Sequence, residues 1–190
     1  MVHESTERKL KSFSANLKDE TQIVIREAVI QDAADLIRCV RSYISDSEHM
    51  VMEADEFAPD IAQGREFIHN FLESENSILI VATHNDRIIG NLDITGGRRN
   101  RLRHTGLVGM GMLNEYREKG LGGILLQTGI SWAVKNNSIE KLWLQILANN
   151  LPAINLYRKM GFEEEGRQKN FVRLDKETYY DNILMSLWLK

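Results

Sequence analysis

One cysteine, two prolines and no long apolar run set the first limits on this chain. A lone thiol, Cys39, excludes an internal disulfide and any metal site built from several thiolates. The longest stretch free of charge, Gly120 to Val134, contains Gly, Gln, Thr and Ser and falls short of the ~18 apolar residues a membrane span requires. Neither sign of charge dominates, and the formal net charge of −3 gives no global pull toward nucleic acid or anionic lipid. The opening residues, from Met1-Val2-His3-Glu4 to Arg8-Lys9, lack the apolar core of a signal peptide, so a reduced, cytoplasmic setting is expected. What is present is ordinary globular usage, 43% apolar and 27% charged over 190 residues, the size of one domain. A chain of this length buries roughly 70% of its unfolded surface and needs no staples.

Residues 1–20 are polar, mixed in charge and weakly periodic, and read as an appended tail or a marginal helix; residues 21–190 read as a single domain. Ile23-Val24-Ile25 is a β-branched run suited to a strand. Asp32 is placed to N-cap a helix from Ala33 to Ile44, with Leu36, Ile37 and Val40 on one face. An irregular acidic stretch with Glu48, Glu53, Asp55 and Glu56 precedes a second helix, about Asp60 to Glu73. That helix should turn Ile61, Phe67, Ile68, Phe71 and Leu72 toward a core. Ser77 to Thr83 and Arg87 to Thr95 read as a hairpin across His84-Asn85-Asp86. A basic turn, Gly96 to Arg103, leads to a strand from Thr105 to Leu113 that is thinned by Gly106, Gly109 and Gly111. Gly120 to Lys135 is a helix apolar nearly all round, hence buried against a sheet. Lys141 to Leu147 is a strand, Leu151 to Met160 a helix closed by Gly161, and Phe162 to Leu189 a two-stranded unit. Trp132, Trp143 and Trp188 are most simply core. The order of elements predicts one mixed α/β domain.

Two segments carry chemistry. In the first, a strand ending near Met112-Leu113 runs through Asn114-Glu115-Tyr116-Arg117-Glu118-Lys119 into Gly120-Leu121-Gly122-Gly123, where the apolar helix opens. Free N–H groups and the helix dipole make such a start an anion site, and glycine lets a phosphate approach the main chain. Neither the P-loop pattern nor the dinucleotide G-x-G-x-x-G is present. The same glycines would equally permit tight helix–sheet packing. In the second segment, Asn150 can cap a short helix, Pro152 suits its first turn and Gly161 its C-terminal end. Tyr157 on that helix can face either a core or a cleft.

Taken together, Arg117-x-x-Gly120-x-Gly122 and the later Asn150-x-x-Ala153-x-x-Leu156-Tyr157-x-x-x-Gly161-Phe162 resemble the GNAT superfamily of acyl-CoA-dependent N-acetyltransferases. The resemblance covers roughly Ile23 to Leu189. Tyr180-Asp181-x-x-x-Met185 is similar to the last strand of the branch that includes ribosomal-protein and small-amine acetyltransferases. The resemblance implies a mixed, mostly antiparallel sheet flanked by helices, splayed between the fourth and fifth strands of the reading above. It implies transfer of an acetyl group from acetyl-CoA to a primary amine by direct attack, without a metal. The acceptor could be a protein N-terminus, a lysine, a polyamine, an amino acid or an antibiotic.

The resemblance also implies residue roles. Backbone N–H groups from Arg117 through Glu118, Lys119, Gly120, Leu121 and Gly122 to Gly123 would hold the CoA pyrophosphate. Met112 would pair with the pantetheine arm, and a main-chain N–H at Met112 or Leu113 would polarise the thioester carbonyl. Asn150 would hydrogen-bond the cofactor arm, and Tyr157 would protonate the leaving thiolate. Some relatives carry a glutamate base where this chain has Gln145, which cannot take a proton. Glu53, Glu56, Asp93, His104 or a water relay are the candidates in its place, and the acidic stretch could instead attract a cationic acceptor. Arg98, Arg99, Arg101 and Arg103 form a basic cluster that could meet RNA, meet the cofactor's 3′-phosphate, or stand as a solvated tip. No aromatic residues interleave it, so nucleic acid is not the expected partner. Two rivals to the enzyme remain: a CoA-binding sensor or scaffold without catalysis, and an RNA-associated protein using the arginines. Dimerisation is common among such domains, and no residue here specifies it.

Overall fold

Alternation of branched apolar residues builds a single sheet in the computed structural model, which describes residues 10–189. Its strands are β1 Phe13–Asn16, β2 Gln22–Glu27, β3 Ile78–His84, β4 Arg87–Gly96, β5 Thr105–Met112, β6 Lys141–Leu147, β7 Glu163–Arg173 and β8 Tyr179–Trp188. They lie in the order β1-β2-β3-β4-β5-β6-β8-β7, and every neighbouring pair is antiparallel except β5–β6. Helices α1 Ala33–Ser45 and α2 Ile61–Glu73 cover one face, while α3 Leu121–Lys135 covers the other with α4 Leu151–Lys159 beside it. Strand β3 is buried at every position from Ile78 to Thr83, because helices cover the sheet on both faces there. No helix among the described residues is long and apolar enough to cross a membrane.

Local chemistry explains most of the boundaries. The β3–β4 hairpin turns on two residues, Asn85 and Asp86, both at positive φ (49° and 61°), the conformation whose twist suits adjoining antiparallel strands. Helix α2 begins in a capping box: Asp60 accepts from the Gln63 N–H, and the Gln63 side chain accepts from the Asp60 N–H. Asn150 caps α4 by accepting from the Ala153 N–H at 3.3 Å, and Gly161 leaves that helix at φ +90°.

Several expectations need correction. The part of the presumed tail at residues 1–9 lies outside the described residues, but Phe13–Asn16 is an edge strand paired with β2. Its signal is weak because Ala15 and Leu17 alone turn inward, so the alternation is short and polar. Asp32 precedes α1 as expected, but its carboxylate turns back to the Val29 N–H and to Arg26 rather than capping α1. In α2 only Gly64, Ile68 and Phe71 face inward, and Ile61, Phe67 and Leu72 are exposed. The stripe is narrow because Gly64 lets α1 approach so closely that a Cβ there would lie 2.7 Å from Ile37 Cδ1. Trp132 is core, whereas Trp188 is 56% exposed at the end of β8.

The seam between β5 and β6 positions the candidate site. These strands pair only from Thr105–Leu107 to Lys141–Trp143 and then separate. With β1 counted, the expected splay between the fourth and fifth strands is this one.

Candidate functional site

A parallel pair that stops after three residues leaves main-chain groups without strand partners. Leu113 donates its N–H to the Ile89 carbonyl at 2.9 Å. In an antiparallel register that opposes Asn91 to Gly111 and Asp93 to Gly109, alternate residues point the other way. The N–H groups of Met110 and Met112 therefore face the gap toward β6. Leu113, expected as an alternative donor to the fork, is already spent on β4, and Met112 is the donor that remains.

The gap ends at the start of α3. Gly120 takes φ +94° and turns the chain into the helix, and the first bond of the helix runs from the Ile124 N–H to the Gly120 carbonyl. The N–H groups of Leu121, Gly122 and Gly123 precede that bond and find no acceptor among the described residues; unlike α2 and α4, this helix has no side-chain cap. Arg117 does not extend the set, because its N–H closes a tight turn onto the Asn114 carbonyl. Gly122 also serves packing: a Cβ there would lie 3.1 Å from both Leu156 Cδ2 and Met112 Cε. Gly123 is less crowded, since a Cβ there would make ordinary contacts, 3.8 Å to Met160 Cε and 4.0 Å to Leu156 Cδ1.

The turn between β1 and β2 docks onto this loop. Lys18 donates its N–H to the Lys119 carbonyl at 2.9 Å and its ammonium to the Glu118 carbonyl at 3.1 Å, while Lys119 pairs with Asp19 at 2.8 Å. Lys119 beside it holds the Asp19 carboxyl down to about 2. Lys18 thus brings a cation to the loop before the uncapped helix start, Lys119 is balanced there by Asp19, and the Arg117 guanidinium donates to the Asp46 carbonyl at 3.5 Å.

Tyr157 projects from α4, 6% exposed, with its ring edge-on to Phe162 at 5.5 Å between centroids. Burial, and secondarily the Asp93 carboxylate, push its phenol upward, so it stays protonated at any ordinary pH. Its hydroxyl makes no hydrogen bond among the described residues, yet it is not one of the buried polar atoms left without a partner, His49 Nδ1 and Asn149 Oδ1. Asn150 spends its carbonyl oxygen on the helix cap, which leaves its amide N–H groups as donors.

On the face under α1, Gly109 and Gly111 strip β5 of side chains where the fork opens. The Tyr43 ring lies over Gly111, and its hydroxyl donates to Asn91 at 3.3 Å. The Asp93 carboxylate lies over Gly109. On the β6–β8–β7 side, the Asn182 amide donates to Gln145 at 3.2 Å and to Gln168 at 2.7 Å, an uncharged set. The other candidate bases are elsewhere. Glu53 and Glu56 are exposed between α1 and α2, with the Glu56 carboxylate accepting from the Glu53 N–H. His104 stacks on Trp188 at the closed end of the fork, where its carbonyl accepts from Glu140 and Lys141. The arginine cluster is also at that end, with Arg103 paired to Glu75. The length of β5, about 23 Å, separates it from the glycine loop, so it cannot meet a phosphate held there. Cys39 is buried on the inner face of α1, where burial pushes its thiol up to about 12 and keeps it inert.

The family described as Acetyltransferase (GNAT) matches residues 36–162, which run from α1 through the fork to Phe162. The chain belongs to that family. Among solved structures, a GNAT-family acetyltransferase from Streptococcus pneumoniae is 29% identical with a TM-score of 0.84, covering 88% of this chain and 99% of that one. An L-amino acid N-acetyltransferase of Escherichia coli is 27% identical over 107 residues, 56% of this chain and 65% of that protein. An N-alpha-acetyltransferase of Sulfurisphaera tokodaii is 38% identical over 58 residues, 30% of this chain and 35% of that protein. These matches span from about a third to two thirds of the curated relatives. The structure of yncA from Salmonella typhimurium with its cofactor acetyl-CoA shares the GNAT fold, at 17% identity and a TM-score of 0.77.

Sequence reasoning assigned no role to two features of the candidate site. The docking of Lys18 on the loop links residues 100 apart in the chain and left no local signal. The glycine pair did leave one. Gly109 and Gly111 repeat at the period of a strand, which puts both missing side chains on one face.

Proposed function

We propose that this GNAT domain transfers an acetyl group from acetyl-CoA to a primary amine. The observation that carries the reading is continuity: the gap between β5 and β6, with the Met110 and Met112 N–H groups directed into it, leads to the uncapped, glycine-lined start of α3. An extended arm can pair with β5 as a further strand, and a pyrophosphate can accept from Leu121, Gly122 and Gly123 with the helix dipole behind them. The missing side chain at Gly123 would let the pyrophosphate approach the main chain, and Lys18 would add positive charge beside it. Acetyl-CoA, when bound, contributes an activated thioester.

The chain's own residues then have defined tasks. The Met112 N–H is directed at the gap and would stabilise the negative oxygen that develops when an amine attacks the thioester carbonyl. Tyr157, neutral and partly shielded from water, would donate its hydroxyl proton to the departing sulfur. The Asn150 amide would fix the arm at the start of α4. The Gln145–Asn182–Gln168 set offers amide groups, not charges, to the acceptor.

Calorimetric titration with acetyl-CoA, with CoA as comparison, tests the reading, followed by thiol release over a panel of amines. Micromolar binding and release with at least one amine is the expected result. Binding without turnover on any amine would make the domain a CoA sensor, and no binding by folded protein would remove the cofactor site.

A further inference from the structure

We propose that Asp93 is the general base of this transfer, reaching the acceptor nitrogen across Gly109 at the mouth of the fork. The inference rests on the acetyl-transfer reading above and deepens it. Asp93 opposes Gly109, two residues beyond the last β5–β6 pair, Leu107 with Trp143. A Cβ at position 109 would lie 2.6 Å from Asp93 Oδ1, so the carboxylate occupies the space that a side chain there would fill. It thereby leans from β4 over β5 toward the gap.

The carboxylate is not committed to the fold. No lysine, arginine or histidine pairs with it among the described residues, and its one side-chain contact is a long 3.5 Å bond from the Thr95 hydroxyl. The titratable groups that sense its charge are Tyr43 from α1 and Tyr157 from α4, and burial holds both phenols neutral. Asp93 is surrounded by protein yet keeps some accessible surface. Burial pushes its carboxyl up to about 6, which leaves it ionised at neutral pH but more basic than a surface aspartate. The position of Gln145, whose amide cannot accept a proton, leaves that task open, and the other candidate bases are exposed or at the closed end of the fork.

The proton balance closes. The acceptor arrives as an ammonium ion and yields one proton to Asp93, which passes it to solvent. The freed lone pair forms the C–N bond as the carbonyl π bond opens. The nitrogen yields its second proton to Asp93 as the C–S bond breaks, and Tyr157 protonates the sulfur. Proton return from the Asp93 carboxyl to the Tyr157 phenolate resets both groups, with one proton released overall.

The test compares Asp93→Asn with the parent on whichever amine the parent acetylates fastest. Asp93→Asn should lower kcat/KM at pH 7 by about 100-fold or more and abolish the rise in activity through pH ~6, with acetyl-CoA affinity unchanged. Gly109→Ala, which keeps the carboxylate but displaces it, should lower kcat at unchanged acetyl-CoA affinity. It decides the matter if Asp93→Asn does not fold. Either variant retaining the parent's kcat and pH profile would overturn the role of Asp93 while leaving acetyl transfer standing. A folded parent that acetylates no amine overturns the transfer reading, and the base with it.

Discussion

The Tyr157 phenol senses the Asp93 carboxylate, yet the two groups have opposite relations to stability. The Tyr157 ring packs on Phe162, and only its hydroxyl is unspent, so Tyr157→Phe should keep the fold. Turnover should fall by about 100-fold or more, with acetyl-CoA affinity within about twofold of the parent. Unchanged turnover would remove Tyr157 as the acid. Asp93 is different, because burial disfavours its charge. Its folded pKa, about 6, lies above the usual aspartate value, so the folded state binds protons more tightly than the unfolded chain. Stability therefore falls as pH rises between those two values, and the full penalty, of order 1–3 kcal/mol, is present above the folded value. Asp93→Asn should accordingly melt higher than the parent at pH 7, and the advantage should shrink toward zero near pH 4. An equal difference at both pH values would mean that the carboxylate is not buried as described. A residue that destabilises the fold at its working pH is what a functional carboxylate should be.

At the level of elements, the N-terminus of α3 poses the sharpest test. Gly123 is the third helical residue and would accept a Cβ at ordinary contact distance, whereas Gly122 is wedged against Leu156 and Met112. Gly123→Glu supplies an acid at the favoured end of the dipole and removes a helical glycine, together a gain of about 1 kcal/mol. The same carboxylate takes the place proposed for the pyrophosphate. Melting temperature should rise while acetyl-CoA affinity falls at least about tenfold. If affinity does not move, the glycines serve only helix–sheet packing. The elements themselves were mostly legible in the sequence, because hairpin turns, the Asp60 and Asn150 caps and buried apolar runs act locally. Strand β1 was not legible, since its pairing depends on a turn held by Leu17 and on docking to a loop 100 residues away. The inward face of α2 was misjudged because Gly64, a residue without apolar surface, marks its centre. In the site, the glycine loop and Tyr157 stood out as motifs. The availability of a given N–H, at Met112 and not Leu113 or Arg117, depends on register and turn bonds that composition does not reveal.

Across the whole molecule, the fork is a seam. The strands up to β5 and the β6–β8–β7 unit meet in the sheet through three residue pairs, with α3 and α4 in contact behind them. A ligand that pairs with β5 and reaches α3 would join these halves, and anything that binds only the folded state stabilises it by mass action. At a concentration about 100 times its Kd, acetyl-CoA should add about 2.7 kcal/mol, which for a chain of this size is a rise of roughly 5–10 °C in melting temperature. Where the protection falls is more telling than its size. Leu113 already donates to Ile89, and the register assigns Gly109 and Gly111 to the same side, so their amides should exchange slowly with or without ligand. Met110 and Met112 face the gap, and their amides should exchange fast in the free protein and slow on addition of acetyl-CoA. Hydrogen exchange resolved by residue would thus show protection gained at alternate positions along β5. Uniform slowing of residues 108–113 would point instead to general tightening of the fold, and no slowing at Met110 and Met112 would mean that the arm does not lie along this strand.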